Sequence, residues 1–502
     1  MKLQHSLIAG ACLAVCSLSS FAATIACPAA NPADSATAVT WVNSCAPAQT
    51  LFIGGASTLK GNALAILNAK VFDTSKMVPI TIKDKGSVSG IAGNVVAAYG
   101  KNTAGDNIFV VYNYNNGSAA GVSQLFAKPA DVAEADVVFV GPSKKVDHLE
   151  PGTAFVGTCV ASASAGAGTL VSPFSIDCTT HIAQQADIAI SDVRAQELYA
   201  VYAAATKGKA KDLTQTALFS QSFGVAVSPL LYSALQTKNG LTAGDLTAAN
   251  QPSITRAEYA SLVSKAGSIK SLAALTGNAG LTDPLTLARR DDLSGTQASS
   301  NIFFANGQCG GNGNVLVAKS LDEKVGKAGG LLGGLAIVSI ADAATYPSLH
   351  ILNAAVSNDV KKAVSSETDY AIGVLNVGGG GTQVASPAVG AGVGRFIKID
   401  GVSPNFSAAG AAGSLNQLRN GSYPFAVTSY ALVNTKLNAK VPAKKVLTDA
   451  LISGFKDSTV VGIPSGIAYF DGSAAKGATA ARAGGNNCSP IVTGSVASFS
   501  PL

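Results

Sequence analysis

The chain has 502 residues, of which 47% are hydrophobic and 13% are charged, and its formal net charge is +6. A chain of this length can form two or three domains with large cores. The small positive charge is spread along the whole sequence, so it gives little support for a nucleic-acid partner and fits a small anion equally well.

The first 23 residues have the three parts of a secretory signal peptide. The segment MKLQHS is short and positive, LIAGACLAVCSL is apolar, and Ser20-Phe21-Ala22 offers small residues for cleavage. The apolar run is too short to span a bilayer, and Val15 stands before Cys16 where a lipoprotein signal needs a small residue. We therefore expect residues 1–23 to be removed, leaving a periplasmic or secreted protein of about 480 residues without a membrane span.

Removal of the signal peptide would leave six of the eight cysteines, and an even number in an oxidising compartment predicts disulfides. Six cysteines allow about 15 connectivities. Pairing neighbours along the chain gives Cys27 with Cys45, Cys159 with Cys178, and Cys309 with Cys488, of which only the first two pairs are local. The sequence has no Cys-x-x-Cys and few, scattered histidines, so we expect neither a metal site nor a cofactor.

Short runs rich in valine, isoleucine and phenylalanine alternate with longer stretches of helical spacing. In chain order the strand-like runs include TLFIGG, VPITIK, NIFVVYNY, ADVVFVG, ADIAIS, FGVAVS, GLAIVSI, YAIGVLNV, GRFIKI and YPFAVTSYALV. The helical stretches include GNALAILNAKVF, RAEYASLVSKAGSIKSLAAL and AKKVLTDALISGF. The alternation predicts an α/β fold with largely parallel sheets. Small-residue patches at 160–168, 378–394 and 472–486 lack dinucleotide-binding spacing and are predicted loops.

The stretch FIGGASTLKG at 52–61 has two interpretations. Ser57 to Lys60 fits Ser-x-x-Lys, the nucleophile signature of serine acyl enzymes. The same letters fit a glycine-containing turn that holds an anion. An acyl enzyme also needs a later Lys-Thr-Gly or Lys-Ser-Gly, and the sequence contains neither. We therefore predict that the protein is not an enzyme, that Ser57 is a hydrogen-bond donor and that Lys60 is a solvated residue.

Four predicted strands end in small, hydroxylated or charged residues, at 52–58, 81–90, 186–192 and 287–300. In open α/β sheets, ligands bind beyond the carboxyl ends of the strands, where helix N-termini attract negative charge. The convergence of these stretches would form an anion site.

The most specific of these stretches is Arg290-Asp291-Asp292-Leu293-Ser294-Gly295-Thr296. It resembles the ligand motif of the phosphate-binding protein of bacterial phosphate ABC transporters, a type II periplasmic binding protein. The segments 54–59, 86–90 and 187–192 resemble, in the same order, the first turn of that family, its second Gly-Ser turn and its strand ending in a ligand carboxylate. The segments 370–374 and 423–429 are similar to later landmarks, so the resemblance extends from about residue 50 to about residue 435.

The resemblance implies an α/β fold of two lobes joined by a hinge. Lobe 1 would combine 24–221 with 431–502, and lobe 2 would span 222–430, with the chain crossing near 223–228 and 423–430. The segment of about 91–186 is longer than the family pattern and is interpreted as an insertion in lobe 1.

The resemblance also implies the phosphate ligands, which are Ser57, Thr58, Leu59, Ser87, Asp192, Arg290, Asp292, Ser294, Gly295 and Thr296. Arg290 would donate a planar fork of hydrogen bonds to the anion, and Asp292 would hold its guanidinium. Asp192 would repel an anion unless it accepted a proton from it. It would therefore favour protonated phosphate or arsenate over sulfate, which carries no proton.

The implied function is extracytoplasmic capture of inorganic phosphate or a similar protonated oxyanion in a cleft between the lobes. The protein would be the substrate-binding component of phosphate uptake, with an ABC permease as its partner. A second hypothesis is a secreted or surface structural or adhesion protein that reuses this fold, and its basis is the low charge, the glycine-rich loops and the long segment 91–186. The sequence leaves open arsenate or an organic phosphate as the ligand, the disulfide connectivity and the oligomeric state.

Overall fold

The computed structural model describes most of the chain after residue 31. The described residues are 32–44, 47–73, 77–84, 94–114, 117–126, 138–140, 159–178, 181–183, 185–201, 206, 208–264, 267–291, 293–305, 331–332, 335–336, 348–354, 357–377, 394–405, 416–438, 442–460, 467–470, 480–482, 487–488 and 491–493. The predicted signal peptide lies outside these residues.

The strands of the described residues are numbered in chain order. They are β1 (Gln49–Gly55), β2 (Met77–Asp84), β3 (Asn94–Lys101), β4 (Asn107–Asn113), β5 (Val138–Val140), β6 (Cys159–Ala161), β7 (Phe174–Cys178), β8 (His181–Ala183), β9 (Ile188–Ser191), β10 (Leu213–Val227), β11 (Ser253–Ile254), β12 (Leu285–Arg290), β13 (Leu331–Leu332), β14 (Leu335–Ala336), β15 (Leu349–Ala354), β16 (Tyr370–Asn376), β17 (Arg395–Phe396), β18 (Lys398–Ile399), β19 (Ala426–Asn434), β20 (Ile467–Tyr469), β21 (Ala480–Arg482) and β22 (Ile491–Thr493).

The α-helices are numbered in the same way. They are α1 (Ser35–Ser44), α2 (Lys60–Ile66), α3 (Gly117–Phe126), α4 (Pro229–Lys238), α5 (Arg256–Val263), α6 (Leu272–Thr276), α7 (Gly295–Ala305), α8 (Ser357–Val364), α9 (Asn416–Arg419), α10 (Thr435–Asn438) and α11 (Pro442–Lys456). Short 3-10 turns cover Ser57–Leu59, Ala195–Val201 and Ala210–Asp212, and a π-helical segment covers Leu67–Val71.

One large sheet runs through the described part of the protein, in the order β15-β12-β16-β10-β19-β9-β1-β4-β3-β2-β7-β6. The predicted α/β class is confirmed by this sheet and the helices around it. The expectation of largely parallel strands is wrong in part. The pair β1 and β4 and the pair β12 and β15 are parallel, but β2 with β3, β3 with β4, and β10 with β19 are antiparallel.

The segment 91–186 contributes to the centre of this sheet. Strand β4 pairs along β1 from Gln49 with Ile108 to Gly54 with Asn113, and α3 packs against β1 and β9. Strands β3 and β4 therefore lie within the body of the sheet, with α3 packed on it, and the interpretation of the segment as an insertion stays a prediction. Strand β6 extends the outer edge of the sheet, where it pairs with β7.

Strand β10 connects the two halves of the sheet because it changes partner along its length. Residues 213–222 pair with β19, whereas Phe223 to Val227 pair with β16. Strand β19 in turn pairs with β9 at Tyr430 to Leu432. The change of partner after Ser222 supports the lobe boundary predicted near residue 221, which stays a proposal.

Apolar side chains form cores on both sides of each half of the sheet. In the first half, one core lies beneath α1 and α3 and contains Phe52 and Phe109, and the opposite core lies beneath α2 and α11 and contains Ile53 and Phe455. The second half has its main core beneath α4 to α7, where the rings of Phe303 and Phe425 stack with centroids 4.6 Å apart. Each half of the sheet therefore has its own hydrophobic cores, which hold in place the strand ends at the boundary between the halves.

Local signals in the sequence determine the ends of several helices. Thr255 and Glu258 form a reciprocal capping box at the start of α5. Ser271 caps the start of α6, and Gly277 ends that helix in the left-handed conformation with φ of 72°. These caps explain why the helices begin and end where they do.

One predicted disulfide is present in full within the described residues. Cys159 and Cys178 are bonded and lie opposite each other on β6 and β7. Cys488 is also disulfide-bonded, and its partner lies outside the described residues. Cys27, Cys45 and Cys309 lie outside them as well, so the pairings predicted for these three cysteines stay predictions.

Within the described segments, none of the helices has the length and apolar character needed to cross a bilayer.

Candidate functional site

The turn after β1 is held close to β9. Gly55 has φ of 131°, and a Cβ atom at this position would overlap the carbonyl oxygen of Ile190. The N–H of Ala56 donates to that same oxygen at 2.7 Å. Glycine is therefore required where the carboxyl ends of these neighbouring strands meet.

Three predicted ligands follow in the 3-10 turn. Ser57 is half-buried, and Thr58 is buried with its hydroxyl donating to Oδ1 of Asp192. Leu59 packs its side chain into the core beneath α2, and its N–H donates to the carbonyl oxygen of Ala56 at 3.3 Å. Of these three residues, Thr58 is the one that makes a side-chain hydrogen bond to Asp192 in the described residues.

Lys60 differs from its prediction as a solvated residue. Its Nζ lies 4.9 Å from the ring centroid of Tyr114, and burial lowers the pKa of the ammonium group. The prediction is wrong in part, because the ammonium group lies over the aromatic ring that follows β4 and the residue is half-buried.

Asp192 follows β9 and is 2% exposed. Its N–H donates to Oγ of Ser118 at 3.1 Å, and its Oδ1 accepts a hydrogen bond from Nε2 of Gln221 at 2.9 Å. Burial raises the pKa of Asp192, and the hydrogen bonds from Thr58 and Gln221 together with the positive charge of Arg290 oppose this rise. A buried carboxylate surrounded by donors is the central feature of the site.

Helix α3 brings Ser118 to Asp192. Gly117 begins the helix with φ of 71°, and the N–H of Ala119 donates to the carbonyl oxygen of Leu293 at 3.0 Å. Leu293 belongs to the loop before α7, so the start of α3 in the first half of the sheet contacts the second half directly. Ser118 is fully buried at this contact.

Ser118 was missed by the sequence analysis, which assigned the second Gly-Ser turn to 86–90. Ser87 lies outside the described residues, so its role as a ligand stays a prediction. The signal for Ser118 is the apolar run NIFVVYNY followed by Gly117, Ser118 and a stretch of small residues. That run was interpreted as part of an insertion, and the pairing of β4 with β1 shows why it reaches the site.

Arg290 ends β12 in the second half of the sheet and is buried. Its Nε donates to the carbonyl oxygen of Ala354 at 3.1 Å, and its Nη1 donates to Oγ of Ser357 at 2.7 Å. Its N–H donates to Oε1 of Gln297 at 3.1 Å. These bonds fix the side chain between the end of β15 and the start of α8.

The charge of Arg290 is balanced by acidic residues around it. Burial lowers the pKa of the guanidinium, while the negative charges of Asp291, Asp192 and Asp359 raise it. Asp292, the predicted partner of Arg290, lies outside the described residues, and this pairing stays a prediction.

Arg289 is also buried but serves a different surface of β12, because successive side chains in a strand point to opposite faces. Its Nε donates to the carbonyl oxygen of Arg290 at 3.1 Å. Its charge lowers the pKa of the buried Tyr259, which burial raises. Arg289 therefore provides a natural comparison for Arg290.

The start of α7 presents two predicted hydroxyl ligands. Oγ of Ser294 accepts a weak hydrogen bond from the N–H of Gln297 at 3.4 Å, as expected for a helix cap. The hydroxyl of Thr296 is buried and close enough to lower the pKa of Asp192, although no hydrogen bond of normal geometry reaches it within the described residues.

Gly295 lies where the two halves of the site meet. A Cβ atom at this position would overlap Oγ of Ser118 and lie 2.7 Å from Oδ2 of Asp192. A contact of that length between non-bonded heavy atoms forces one of them to move. Glycine therefore lets the N-terminus of α7 approach the carboxylate, which the helix dipole stabilises.

The geometry joins a carboxylate from one half of the sheet to an arginine from the other. Thr58, Asp192, Arg290, Ser294, Gly295 and Thr296, six of the ten predicted ligands, lie around this junction together with Ser118. Such a set can hold a small oxyanion by hydrogen bonds and can accept one proton from it. Among the described residues, no group of three histidine, cysteine, aspartate or glutamate side chains could hold a metal ion.

No protein-family model matches the chain, and no curated protein matches it either. Solved structures do match. A putative phosphate ABC transporter substrate-binding protein with bound phosphate from Clostridium perfringens has 12% identity and a TM-score of 0.37, covering 83% of this chain and 99% of its own. An ABC-type phosphate transport receptor from Vibrio cholerae has 13% identity and a TM-score of 0.35, covering 82% of this chain and 95% of its own.

A third match is a possible phosphate binding protein from Planctomyces limnophilus, with 11% identity, a TM-score of 0.33, and coverage of 82% of this chain and 89% of its own. The chain is thus similar to solved binding proteins of phosphate transporters.

Proposed function

We propose that the protein binds inorganic phosphate, or a similar protonated oxyanion, between Asp192 and Arg290. The observation that carries this proposal is the buried carboxylate of Asp192, which lies against the start of α7 at Gly295 and interacts with the positive charge of the buried Arg290.

The donors on the second half of the sheet would bind the anion oxygens. Arg290 supplies the positive charge, and Ser294 and Thr296 supply hydroxyl groups at the N-terminus of α7. A buried hydroxyl without a partner costs about 1–3 kcal/mol, which a ligand oxygen at Thr296 would recover. The ligand would therefore complete hydrogen bonding that the protein alone does not provide for this hydroxyl.

Asp192 would select the protonation state of the ligand. Its Oδ1 already accepts hydrogen bonds from Thr58 and Gln221, which leaves Oδ2, beside Gly295, as the acceptor toward the ligand. A phosphate that keeps a proton can donate it to Oδ2, whereas sulfate presents a second negative charge. Binding would thus discriminate by a hydrogen bond and would involve no covalent chemistry.

The division of the chain into two lobes follows as part of the proposal. Residues 24–221 with 431–502 would form lobe 1, and 222–430 would form lobe 2, joined by β10 and β19. The change of partner along β10 between Ser222 and Phe223 supports a hinge there. Closure of the lobes would bury the anion between Asp192 on one side and Arg290 on the other.

The biological role proposed here is the substrate-binding component of phosphate uptake outside the cytoplasm, with an ABC permease as partner. The support is the predicted signal peptide together with the phosphate site. A permease that is co-purified with the protein and transports phosphate only in its presence would establish this role.

Calorimetric titration of the ligand-stripped mature protein with phosphate tests the proposal, with sulfate as competitor. We expect phosphate binding that excess sulfate does not reduce near neutral pH. Absence of both heat and thermal stabilisation by phosphate would overturn the proposal. The variant Arg289→Gln is the matched control for Arg290→Ala, because the two arginines are buried neighbours on one strand.

A further inference from the structure

A chain of buried carboxamides connects Asp192 to the opposite half of the sheet. Gln221 lies on β10 with no exposed surface, and its Nε2 donates to Oδ1 of Asp192 at 2.9 Å. Its Oε1 accepts a hydrogen bond from Nδ2 of Asn376 at 2.7 Å. Asn376 is the last residue of β16 and is 4% exposed.

The contact with Asn376 fixes the orientation of the Gln221 carboxamide. An amide nitrogen can only donate, so Nδ2 of Asn376 requires the oxygen of Gln221 on its side. The NH2 group of Gln221 must then face Asp192. Gln221 is therefore a donor to the carboxylate, and it could become an acceptor only if the carboxamide of Asn376 rotated together with it.

We infer that Gln221 is a positioning residue for ligand selectivity, because it reserves Oδ1 of Asp192 for protein donors and leaves Oδ2 to accept the proton of a phosphate-like oxyanion. This inference rests on the proposed function and adds the residue that keeps the selecting carboxylate ionised. A carboxylate oxygen that accepts two protein hydrogen bonds is a poor place for a proton, and this favours the charged form.

Other groups also face Asp192. The titratable and charged groups are Tyr112 on β4, whose pKa is raised by burial and by Asp192, and Arg290 on β12. Thr58 and Thr296 present hydroxyl groups to the carboxylate, and Oγ of Ser118 accepts from the N–H of Asp192. Gln221 differs from all of them because its orientation is fixed from the opposite half of the sheet.

Loss of the Gln221 donor should raise the pKa of Asp192. Below that pKa the protonated carboxyl group can donate to sulfate, so sulfate becomes a competitor at a higher pH than in the wild type. Phosphate should still bind, because Arg290 and the hydroxyl donors remain. The expected signature is a change in the pH dependence of selectivity, with little change in phosphate affinity near neutral pH.

The test uses Gln221→Met, which keeps the length of the side chain and removes its polar atoms. Competition of sulfate against phosphate is measured by calorimetry from about pH 5 to about pH 8. We expect the pH at which sulfate begins to compete to rise by about one unit or more in the variant. The matched control is Gln215→Met on the same strand, since Gln215 bonds the N–H of Ala195 at 2.7 Å and does not contact Asp192.

A second variant covers the case in which Gln221→Met does not fold. Asn376→Leu removes the bond that orients Gln221 and should shift the same pH in the same direction by a smaller amount. A folded variant that binds phosphate and shows the wild-type pH dependence of sulfate competition overturns the inference. A wild-type protein that binds no phosphate overturns the proposed function, and the role of Gln221 falls with it.

Discussion

The two walls of the site differ in what they offer an anion. The wall from the first half of the sheet places a carboxylate at its centre, and Thr58, Ser118 and Gln221 already hydrogen-bond with that residue. The wall from the second half offers the positive charge of Arg290 and the start of α7. One wall would therefore determine which anion binds, and the other would determine how tightly it binds.

The same comparison explains why both halves are needed. An arginine wall alone would attract sulfate and phosphate alike, because both carry oxygen atoms that accept its hydrogen bonds. A carboxylate wall alone would repel either anion. In the proposed site, selectivity and affinity would therefore occur together only where Gly295 lets the two walls meet.

The largest effect is expected from removing the charge of the second wall. Arg290→Ala should weaken phosphate binding by more than about 100-fold, because charge-assisted hydrogen bonds contribute about 1.5–3 kcal/mol each. Calorimetry measures the loss, and circular dichroism checks that the variant is folded. The control variant Arg289→Gln should leave phosphate affinity within a few-fold of the wild type. An equal loss of phosphate affinity in both variants would show that Arg290 acts only through the stability of the fold.

A smaller effect is expected from separating the walls. Gly295→Ala places a Cβ atom against Ser118 and Asp192, so the walls should not close fully. Overpacking of this kind costs about 1–3 kcal/mol, which corresponds to roughly tenfold weaker phosphate binding. Gly280→Ala is the control, because its Cβ atom would meet only the flexible side chain of Asn278. Unchanged phosphate affinity for Gly295→Ala would mean that Gly295 does not approach Ser118 and Asp192 in the bound state.

The smallest effect is expected far from both walls. Nζ of Lys70 lies 2.5 Å from Oδ2 of Asp457, and this bond, with hydrogen bonds from Thr459, lowers the pKa of Asp457 to about 2. Because folding lowers the pKa of Asp457 from its ordinary value near 4, the ionised carboxylate stabilises the fold at pH values above about 4. This stabilisation is lost as the pH falls through about 2. The pair is partly exposed, so its contribution is below about 1 kcal/mol.

We therefore expect Asp457→Asn to lower the thermal midpoint slightly at neutral pH and to match the wild type near pH 2. Phosphate affinity should not change, since the pair lies between the π-helical segment and the end of α11. Asp449→Asn removes a more exposed pair within α11 and serves as the control. A midpoint difference that grows toward low pH would contradict the assigned direction of the pKa shift.

Much of the site can be predicted from the sequence because its polar side chains lie at the carboxyl ends of strands. Thr58 and Asp192 come shortly after buried strands, and Arg290 is the last residue of one. These strands belong to the parallel pairs β1 with β9 and β12 with β15, so their carboxyl ends lie on the same side within each pair. A resemblance of short motifs in the right order could therefore identify them. The α/β class followed from the alternation of strand-like and helical runs.

Ser118 and Gln221 could not be identified in the same way. Ser118 reaches the site only because β4 pairs in parallel with β1, and the paired residues are more than fifty positions apart in the chain. In addition, the sequence at 86–90 also fits the Gly-Ser turn of the family. Gln221 lies between Ser220 and Ser222 in β10, and nothing in this local pattern distinguishes it. Its role depends on where β9, β10 and β16 lie in the sheet. Non-local strand order of this kind is not encoded in a local pattern.

The measurement that tests the central claim most directly is the ratio of phosphate to sulfate affinity in Asp192→Asn, compared with the wild type at the same pH. The asparagine keeps the shape of the side chain, removes its negative charge and can donate a hydrogen bond to sulfate. The account predicts that the wild type strongly prefers phosphate and that the variant loses most of this preference by gaining sulfate affinity. A variant that retains the full preference would contradict the claim that Asp192 selects the ligand.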